Sequence, residues 1–127
     1  MTIVSISLTE ENLQSLEDIR ISYGLAGRSE AIRHAIRAAE SEIRETSGME
    51  GTVEGVLVTV HRDHSDIWMS QIEHRYEDHI KTQMHSHLRD GKCLDVIIIS
   101  SDADTVRSIL RDIHSAGKAD YVKFVHG

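Results

Sequence analysis

Two strand-like runs separated by a short glycine-containing turn constrain the fold more than any other part of the chain. The first run, Lys81 to Leu88, carries His85 and His87 at alternate positions, and the second run, Cys93 to Ser100, opens with the only cysteine. Alternate residues of a strand lie on the same face of a sheet. A β-hairpin that presents both histidines on one face is therefore predicted.

The turn decides whether those histidines share a face with Cys93. A two-residue turn at Asp90-Gly91 would pair Leu88 with Cys93 and place the histidines on the opposite face. A three-residue loop, Arg89-Asp90-Gly91, would instead pair His87 with Cys93, with its glycine in the left-handed region where a missing Cβ avoids a clash. Only the second register brings two imidazoles and a thiol together.

Imidazole nitrogen and thiolate sulfur are common ligands of late divalent transition metals. The spacing therefore favours a metal site at His85, His87 and Cys93. A lone cysteine is more often a small apolar residue of the core, but two alternating histidines one short loop away favour coordination. Five other histidines are expected to be solvated surface residues: His61, His64, His79, His114 and His126.

Composition limits the classes of protein that remain. A chain of 127 residues with 39% hydrophobic content could form one ordinary domain, or two small ones that oligomerise to bury enough surface, and the second option fits better. One cysteine excludes an intrachain disulfide framework, and no apolar run suits a membrane span or signal peptide, so a cytoplasmic protein without a membrane partner is expected. The net charge of −7 means that any nucleic-acid binding must be local.

The first 45 residues or so have the pattern strand-helix-helix. Thr2 to Leu8 alternate in polarity, which predicts a half-buried strand, and Thr9 is a good N-cap for the helix that follows. Gly24 and Gly27 end that helix, and Ser29 is predicted to cap the next. The two helices carry apolar stripes at helical spacing: Leu13, Leu16 and Ile19, then Ile32, Ala35, Ile36, Ala39 and Ile43. A segment this short with one strand could scarcely fold alone, so two copies are expected to pair through Val4, Ile6 and Leu8.

A second organisation follows residues 48–52, a short segment of small residues that is predicted to be a hinge. The predicted domains are thus residues 1–47 and 53–127. The second domain is expected to contain strands and helices in the order βαββαβ, which is typical of a ferredoxin-like sandwich and makes the whole chain α+β. Its elements are predicted at Val53 to Val60, Ile67 to about Ile80, the hairpin described above, Ala103 to Ala116 and Tyr121 to Val125.

These features together resemble a known family. The order strand-helix-helix, the segment Arg28-Ser29-Glu30-Ala31-Ile32-Arg33, and the later His85-Ser86-His87 with Cys93-Leu94-Asp95-Val96 look like the nickel-responsive ribbon-helix-helix transcriptional regulators, the NikR family. The resemblance covers nearly the whole chain. It implies an N-terminal ribbon-helix-helix domain that binds operator DNA and an ACT-like, ferredoxin-like domain that binds metal and forms a homotetramer, a dimer of dimers.

For the DNA-binding domain, the resemblance implies paired strands that read base edges in the major groove. The positions that match are Ile3, Ser5 and Ser7 on the strand, with Ser29 at a helix N-terminus and Arg28 and Arg33 as local positive charges for phosphate. Related regulators commonly have arginine where this chain has Ile3, so the operator is expected to differ. The alternative for the two serines is a solvated strand face.

For the metal site, the resemblance implies that a histidine from a neighbouring chain joins His85, His87 and Cys93. By position that ligand is His74, whose alternative role is an ordinary exposed helix residue. Three imidazoles and a thiolate suit planar Ni(II), although copper accepts a similar set and zinc would ask for a tetrahedron. Metal would then act as co-repressor. The family's second cation site would use Glu30, but His34 stands where a carboxylate is expected, which argues against a hard cation.

Two other classes of protein remain in view. A ribbon-helix-helix repressor that senses a small molecule, or another metal such as cobalt or copper, through the same C-terminal domain explains the N-terminal half equally well. A metal-dependent hydrolase is disfavoured, because catalysis needs an open coordination position that four protein ligands would fill. The protein is therefore expected not to be an enzyme.

Overall fold

The computed structural model describes residues 1–62 and 67–127. They form two compact units, Met1–Thr46 and Ser47–Gly127. Within the described ranges, no helix combines the length and the apolar character that a membrane span requires. The boundary lies close to the one predicted from composition, and the two units differ in how they are built.

The first unit contains helices α1 (Glu10–Ser22) and α2 (Arg28–Ser47). The hydroxyl of Thr9 accepts a hydrogen bond from the backbone N–H of Asn12 at 3.0 Å, so the predicted N-cap is confirmed. After α1, Gly24 adopts a left-handed backbone with φ of 64°, a conformation that glycine enters at little cost. The first helix therefore ends before the glycines, as predicted, and the chain turns there into the second helix.

Helix α2 begins two residues earlier than expected. Arg28 is its first residue, so the prediction that Ser29 is the N-cap is wrong, and Gly27 occupies that position. The Glu30 carboxylate folds back so closely that a Cβ on Gly27 would lie 3.0 Å from its oxygen. Glu30 lies in the first helical turn, where an acidic side chain complements the helix dipole.

The structure assigns no strand to residues 1–9. Val4, Ile6 and Leu8 are all exposed, as are Ile36 and Ile43 on α2. A strand exists only through hydrogen bonds to a neighbour, and the strand pairings of the described residues all lie in the second unit. The predicted strand at Thr2 to Leu8 thus needs a partner that a single chain does not supply.

The second unit is a four-stranded antiparallel sheet with two helices. In chain order its elements are β1 (Thr52–Arg62), α3 (Trp68–Arg75), a 3₁₀ turn (Glu77–His79), β2 (Ile80–His87), a second 3₁₀ turn (Arg89–Gly91), β3 (Lys92–Asp102), α4 (Ala103–Ala116) and β4 (Ala119–His126). The strands lie in the order β2-β3-β1-β4. The predicted sequence of strands and helices is confirmed, and α4 has the predicted bounds.

Helix α3 is shorter than predicted. It ends at Arg75, not near Ile80, although the apolar periodicity continues as far as Tyr76. Two side chains at its end bind one acceptor on α4: the Tyr76 hydroxyl donates to Asp112 at 2.6 Å and Arg75 donates to the same carboxylate at 2.7 Å. These bonds hold the chain at the point where it must turn into β2.

One face of the sheet packs against the helices and the other is exposed. The inner face contributes Leu57, Ile97, Ile99 and Phe124 to a core that also contains Trp68, Met69, Ile72, Val106 and Ile113. The outer face carries large apolar side chains that remain exposed: Val56, Met84, Ile98, Tyr121 and Val125. The inner face therefore accounts for the stability of the unit.

Part of the predicted hinge is bound to the second unit. Met49 is buried in its core, and both terminal nitrogens of Arg107 donate to the Met49 carbonyl oxygen, at 3.1 and 3.2 Å. The N–H of Ala103 donates to the Gly51 carbonyl oxygen at 3.0 Å. Met49 and Gly51 are thus bound to residues of α4, and this part of the predicted hinge belongs to the second unit.

Candidate metal centre

The β2–β3 hairpin has the three-residue loop rather than the two-residue turn. His87 pairs with Cys93, and the Leu88 N–H donates to the Lys92 carbonyl oxygen at 2.7 Å to close the loop. Gly91 has the predicted left-handed backbone, and Asp90 shares it with φ of 62°. Aspartate tolerates this region better than most residues. The register that places the histidines and the cysteine on one face is confirmed.

The side chains of His85, His87 and Cys93 converge on that face. Each offers a ligand atom, and these atoms all lie within 4.8 Å of one another. The His87 Nδ1 is 3.9 Å from the Cys93 sulfur, and the two imidazole rings meet edge to face with centroids 5.1 Å apart. No other group of three such ligands occurs in residues 1–62 and 67–127.

The three ligands differ in their access to solvent. Cys93 is fully buried, whereas His85 and His87 lie on β2, an edge strand whose residues are almost all exposed. Burial raises the pKa of the Cys93 thiol, and the neighbouring Asp95 carboxylate raises it further. A bound cation would reverse that balance, because thiolate is the form that coordinates metal.

Behind the site lies a buried polar pair that the sequence analysis missed. His61 is only 3% exposed, so the prediction that it is a solvated surface residue is wrong. Its Nε2 is 2.8 Å from one oxygen of Asp95, and the other oxygen is 2.7 Å from the Nδ1 of His85. The signal was present in the alternation of β1, where position 61 follows the inward-facing Leu57 and Thr59.

A cavity of about 300 Å³ borders these residues. His61, His85 and Asp95 line it from the sheet, and Glu73 lines it from α3. Burial raises the pKa of the Glu73 carboxyl, and the negative charge of Asp95 raises it further. The inner side of the metal site is thus a small polar chamber, whereas its outer side is open at the sheet edge.

His74 is placed away from this group. It lies in the last turn of α3, its side chain is 81% exposed, and its Nδ1 is 3.3 Å from the Glu77 carboxylate. The next two residues, Arg75 and Tyr76, are held by Asp112. The fourth predicted ligand is therefore exposed on the surface and does not join the other three within one chain.

The remaining histidines have varied surroundings. His114 is exposed as predicted, but His79 is half-buried with its Nδ1 2.7 Å from the Ser101 hydroxyl. His126 is also half-buried and stacks on Phe124 with ring centroids 5.6 Å apart. His64 lies outside the described residues. The prediction that all these histidines are solvated surface residues was therefore too broad.

The predicted DNA-binding residues lie on the first unit. Ile3, Ser5, Ser7, Arg28 and Ser29 are exposed. Arg33 is also exposed, and its guanidinium donates to the Glu30 carboxylate at 3.1 Å. One intrahelical pair therefore reduces the free positive charge of this surface.

The position of a second cation site is taken up by other contacts. Glu30 binds Arg33, and the ring of His34 lies 4.0 Å from that of Tyr23, centroid to centroid. A neutral imidazole is also a poor ligand for a hard cation. These residues do not fit such a site.

The ligands at the β2–β3 hairpin do fit a late divalent transition metal. Two imidazoles and one thiol converge from a rigid hairpin, and a carboxylate already binds the far nitrogen of one imidazole. Ligating histidines commonly have such a partner. Nickel(II) accepts this combination of nitrogen and sulfur.

Comparison with known proteins supports the same assignment. Residues 51–126 match the model of the NikR C terminal nickel binding domain. Three similar proteins share the name "Putative nickel-responsive regulator". One from Methanocaldococcus jannaschii is 34% identical, covering 84% of this chain and 77% of its own length; one from Geobacter sp. (strain M21) is 37% identical, covering 85% and 79%.

The third, from Methanococcus vannielii, is 31% identical and covers 94% of this chain and 87% of its own. These matches extend beyond the metal-binding domain into the helices of the first unit. Ni(II) is accordingly the cofactor that the comparisons support for residues 51–126. The chain belongs to the NikR family of nickel-responsive regulators.

Proposed function

We propose that this protein is a nickel-dependent DNA-binding repressor that binds its operator more tightly when metal occupies a site between subunits. The observation that carries the proposal is the convergence of His85, His87 and Cys93 on one face of a hairpin, with ligand atoms within 4.8 Å. Relatives named as nickel-responsive regulators support a regulatory rather than an enzymatic role. The proposal also requires a suitable fold, a fourth ligand, an assembly of several chains and a surface that binds DNA.

The sheet supports a ferredoxin-like, ACT-like domain at residues 53–127. Its antiparallel strand order, β2-β3-β1-β4, with both helices on one face, is the arrangement that a βαββαβ chain adopts in that fold. The first unit, with an apolar segment before two helices, supports a ribbon-helix-helix domain at residues 1–47. Residues 48–52 would then connect a DNA-binding part to a sensing part.

The fourth ligand would be His74 of a second copy. The Glu77 carboxylate lies 3.3 Å from the Nδ1 of His74 and would favour a proton on that nitrogen, so that Nε2 would hold the lone pair for a metal. His85 and His87 lie on the exposed edge strand beside the buried Cys93, and His74 lies at an exposed helix end. A contact between two chains would bring the fourth ligand to the other three. When bound, Ni(II) would supply a cross-link between two subunits.

A tetramer would cover the apolar surfaces that one chain leaves open. The outer sheet face presents Val56, Ile98 and Val125, and the first unit presents Val4 and Ile6. Contiguous exposed apolar surface generally marks an interface in a soluble protein. Two such surfaces on different units allow a dimer of dimers, with DNA-binding pairs joined through the sensing domains.

DNA recognition would depend on the paired N-terminal strands. Pairing through Val4, Ile6 and Leu8 would direct Ile3, Ser5 and Ser7 into the major groove, where hydroxyls can contact base edges and an aliphatic side chain can contact a thymine methyl group. Arg28 and the helix N-terminus at Ser29 would contact phosphates. Arg33 would do so only after releasing Glu30.

Metal would regulate DNA binding through differential affinity for one arrangement of the subunits. A site completed by two chains binds nickel only in arrangements that bring those chains together. If the same arrangement reaches both half-sites, nickel and operator favour each other's binding by the same factor. The chain's contribution is to keep His85, His87 and Cys93 assembled on a rigid hairpin and His74 on a fixed helix end.

Equilibrium nickel titration followed by absorption tests the site. Thiolate-bound nickel is expected to give charge-transfer bands that vanish in Cys93→Ala and His87→Ala, while His114→Ala, an exposed histidine outside the group, keeps them. Normal metal binding by Cys93→Ala would contradict the assigned site. Tighter binding of cobalt or copper than of nickel would favour a sensor of those metals.

DNA binding is tested with duplexes selected from a random library by the nickel-loaded protein. At fixed salt, removal of nickel with a chelator is expected to lower the affinity for DNA by about 5- to 150-fold, the usual range for two coupled sites. Equal affinity with and without metal would contradict metal control and favour a repressor that senses a small molecule.

A further inference from the structure

A chain of three hydrogen-bonded side chains runs inward from the metal site, from the exposed His85 to the buried Asp95 and His61. Asp95 is 4% exposed and lies between His61 and His85, with one carboxylate oxygen bonded to each. The His61 ring is in turn packed edge to face against Trp68, with centroids 5.3 Å apart. The three side chains come from three adjacent strands of the sheet, β1, β3 and β2.

The carboxylate determines which nitrogen of His85 carries the proton. An ionised carboxylate only accepts hydrogen bonds, so the contact of 2.7 Å with the Nδ1 of His85 requires a proton on that nitrogen. A neutral imidazole has one proton, so its Nε2 then holds a free lone pair. Only such a nitrogen can bind a metal.

The position of Asp95 depends on His61. The Nε2–H of His61 donates to the second carboxylate oxygen at 2.8 Å, and both residues are buried. Without that donor, one oxygen of Asp95 would be buried with no partner, which is costly for a charged group. The side chain would then turn toward solvent or toward the cavity, and its bond to His85 would be lost.

We infer that His61 and Asp95 are positioning residues of the nickel site: the buried pair holds His85 as the tautomer whose Nε2 is free for the metal. Neither residue is a ligand in this arrangement. The inference rests on the proposed function, because it assigns His85 as a ligand. It adds a residue, His61, that lies far from the hairpin in sequence and acts only through Asp95.

The tautomer can be measured without metal. Long-range ¹H–¹⁵N NMR of the metal-free, ¹⁵N-histidine-labelled full-length protein distinguishes a protonated Nδ1 from a protonated Nε2. His85 is expected to carry its proton on Nδ1, and in Asp95→Leu the signal is expected to move toward the Nε2 form. A protonated Nε2 in the wild-type protein would overturn the inference, whatever the behaviour of any variant.

Nickel affinity, measured by competition with a chelator, tests the consequence. Asp95→Leu is expected to lower the nickel affinity about 10- to 100-fold, as is usual when a residue that hydrogen-bonds a metal-binding histidine is removed. His61→Leu is expected to lower the affinity by a smaller factor. His61→Gln, whose amide N–H can replace the Nε2–H donor, is expected to recover most of the loss. His79→Gln alters another half-buried, hydrogen-bonded histidine and is the matched control with unchanged affinity.

Three outcomes distinguish a failure of the proposed function from a failure of the positioning role. If the wild-type protein shows no nickel binding, the proposed function fails, while the tautomer measurement stands by itself. If the wild-type protein binds nickel but Asp95→Leu binds it equally well with the same charge-transfer bands, the positioning role fails alone. If His61→Gln and His61→Leu weaken binding equally, His61 acts by packing rather than by its hydrogen bond, and its assignment is overturned.

Discussion

The two units of this chain reach stability in different ways. The second unit encloses a core of its own, in which Leu57, Ile99 and Ile113 are almost completely shielded from water. In the first unit, Leu16 and Ala31 are buried, but the apolar residues before α1 and along α2 remain exposed. The sheet and two helices of the second unit cover their own apolar face, whereas the first unit leaves these apolar residues uncovered.

The difference teaches that each unit suits a separate task. A domain with its own core can hold ligands at fixed distances before metal arrives. A domain whose apolar residues remain exposed has surface left for contacts with other molecules. The following changes, from the largest expected effect to the smallest, test that contrast.

The largest contrast is expected between two apolar truncations. Leu57→Ala removes a fully buried side chain from the second unit and is expected to lower the free energy of unfolding by about 2–5 kcal/mol. Ile43→Ala removes a side chain that is 62% exposed in one chain and is expected to weaken pairing of the first unit instead. Urea unfolding and sedimentation over a range of protein concentrations distinguish the two effects. Equal losses of stability from both variants, independent of concentration, would remove the contrast.

Gly55 marks the closest packing within the second unit. A Cβ at this position would lie 2.5 Å from the Val125 carbonyl oxygen and 2.6 Å from the Phe124 ring. Gly55→Ala is therefore expected to cost about 1–3 kcal/mol of unfolding free energy by overpacking. Gly127→Ala, where nothing lies within 4 Å, is the control. Urea denaturation of both variants measures the cost, and an unchanged midpoint for Gly55→Ala would contradict the packing.

Arg107 tests where the second unit ends. Its two hydrogen bonds to the Met49 carbonyl oxygen are expected to protect the backbone around residues 49–51. Arg107→Gln should cost roughly 1 kcal/mol and should increase hydrogen exchange there, while exchange in β1 stays slow. Asp104→Asn, which removes only the exposed partner of Arg107, should leave exchange unchanged. Unaltered exchange in Arg107→Gln would show that Met49 is held by its side chain alone.

The smallest expected effect concerns acid stability at the end of α3. The hydrogen bond from the Tyr76 hydroxyl holds the pKa of the Asp112 carboxyl below its ordinary value, and the hydrogen bond and positive charge of Arg75 lower this pKa further. A carboxyl whose folded pKa is depressed stabilises the protein above its unfolded pKa and loses that contribution as pH falls through the folded pKa. Tyr76→Phe should therefore reduce stability at neutral pH by about 0.5–1 kcal/mol and by less in strong acid. Thermal unfolding from neutral pH to below pH 3 measures the difference, and an equal loss at every pH would contradict it.

The hairpin was predictable because its rules are local. The loop Arg89-Asp90-Gly91 and the alternation of β2 determine the register, and the pairing of His87 with Cys93 follows. The order of strands and helices in the second unit was also readable from periodicity. Tertiary contacts decided the rest: α3 stops at Arg75 because Asp112, far along the chain, binds the residues at its end.

His61 was missed for a physical reason. Histidine is common at surfaces, and nothing near position 61 in the sequence indicates that Asp95 will face it from the neighbouring strand. The alternation of β1 indicated that position 61 faces inward, whereas the frequency of histidine at protein surfaces favoured a solvated residue. Buried polar pairs formed across a sheet become visible only when the strand order is known. The start of α2 at Arg28 was missed for a simpler reason, since Gly27 and Ser29 are both acceptable N-caps.

The anchoring of Met49 has a consequence for where the second unit can be cut. Helix α2 ends at Ser47, and Arg107 of α4 binds the Met49 carbonyl oxygen, so the second unit begins before its first strand. A fragment that starts at β1 would lose both the buried Met49 side chain and the acceptor of Arg107. Such a fragment is expected to be less stable than one that starts at Ser47.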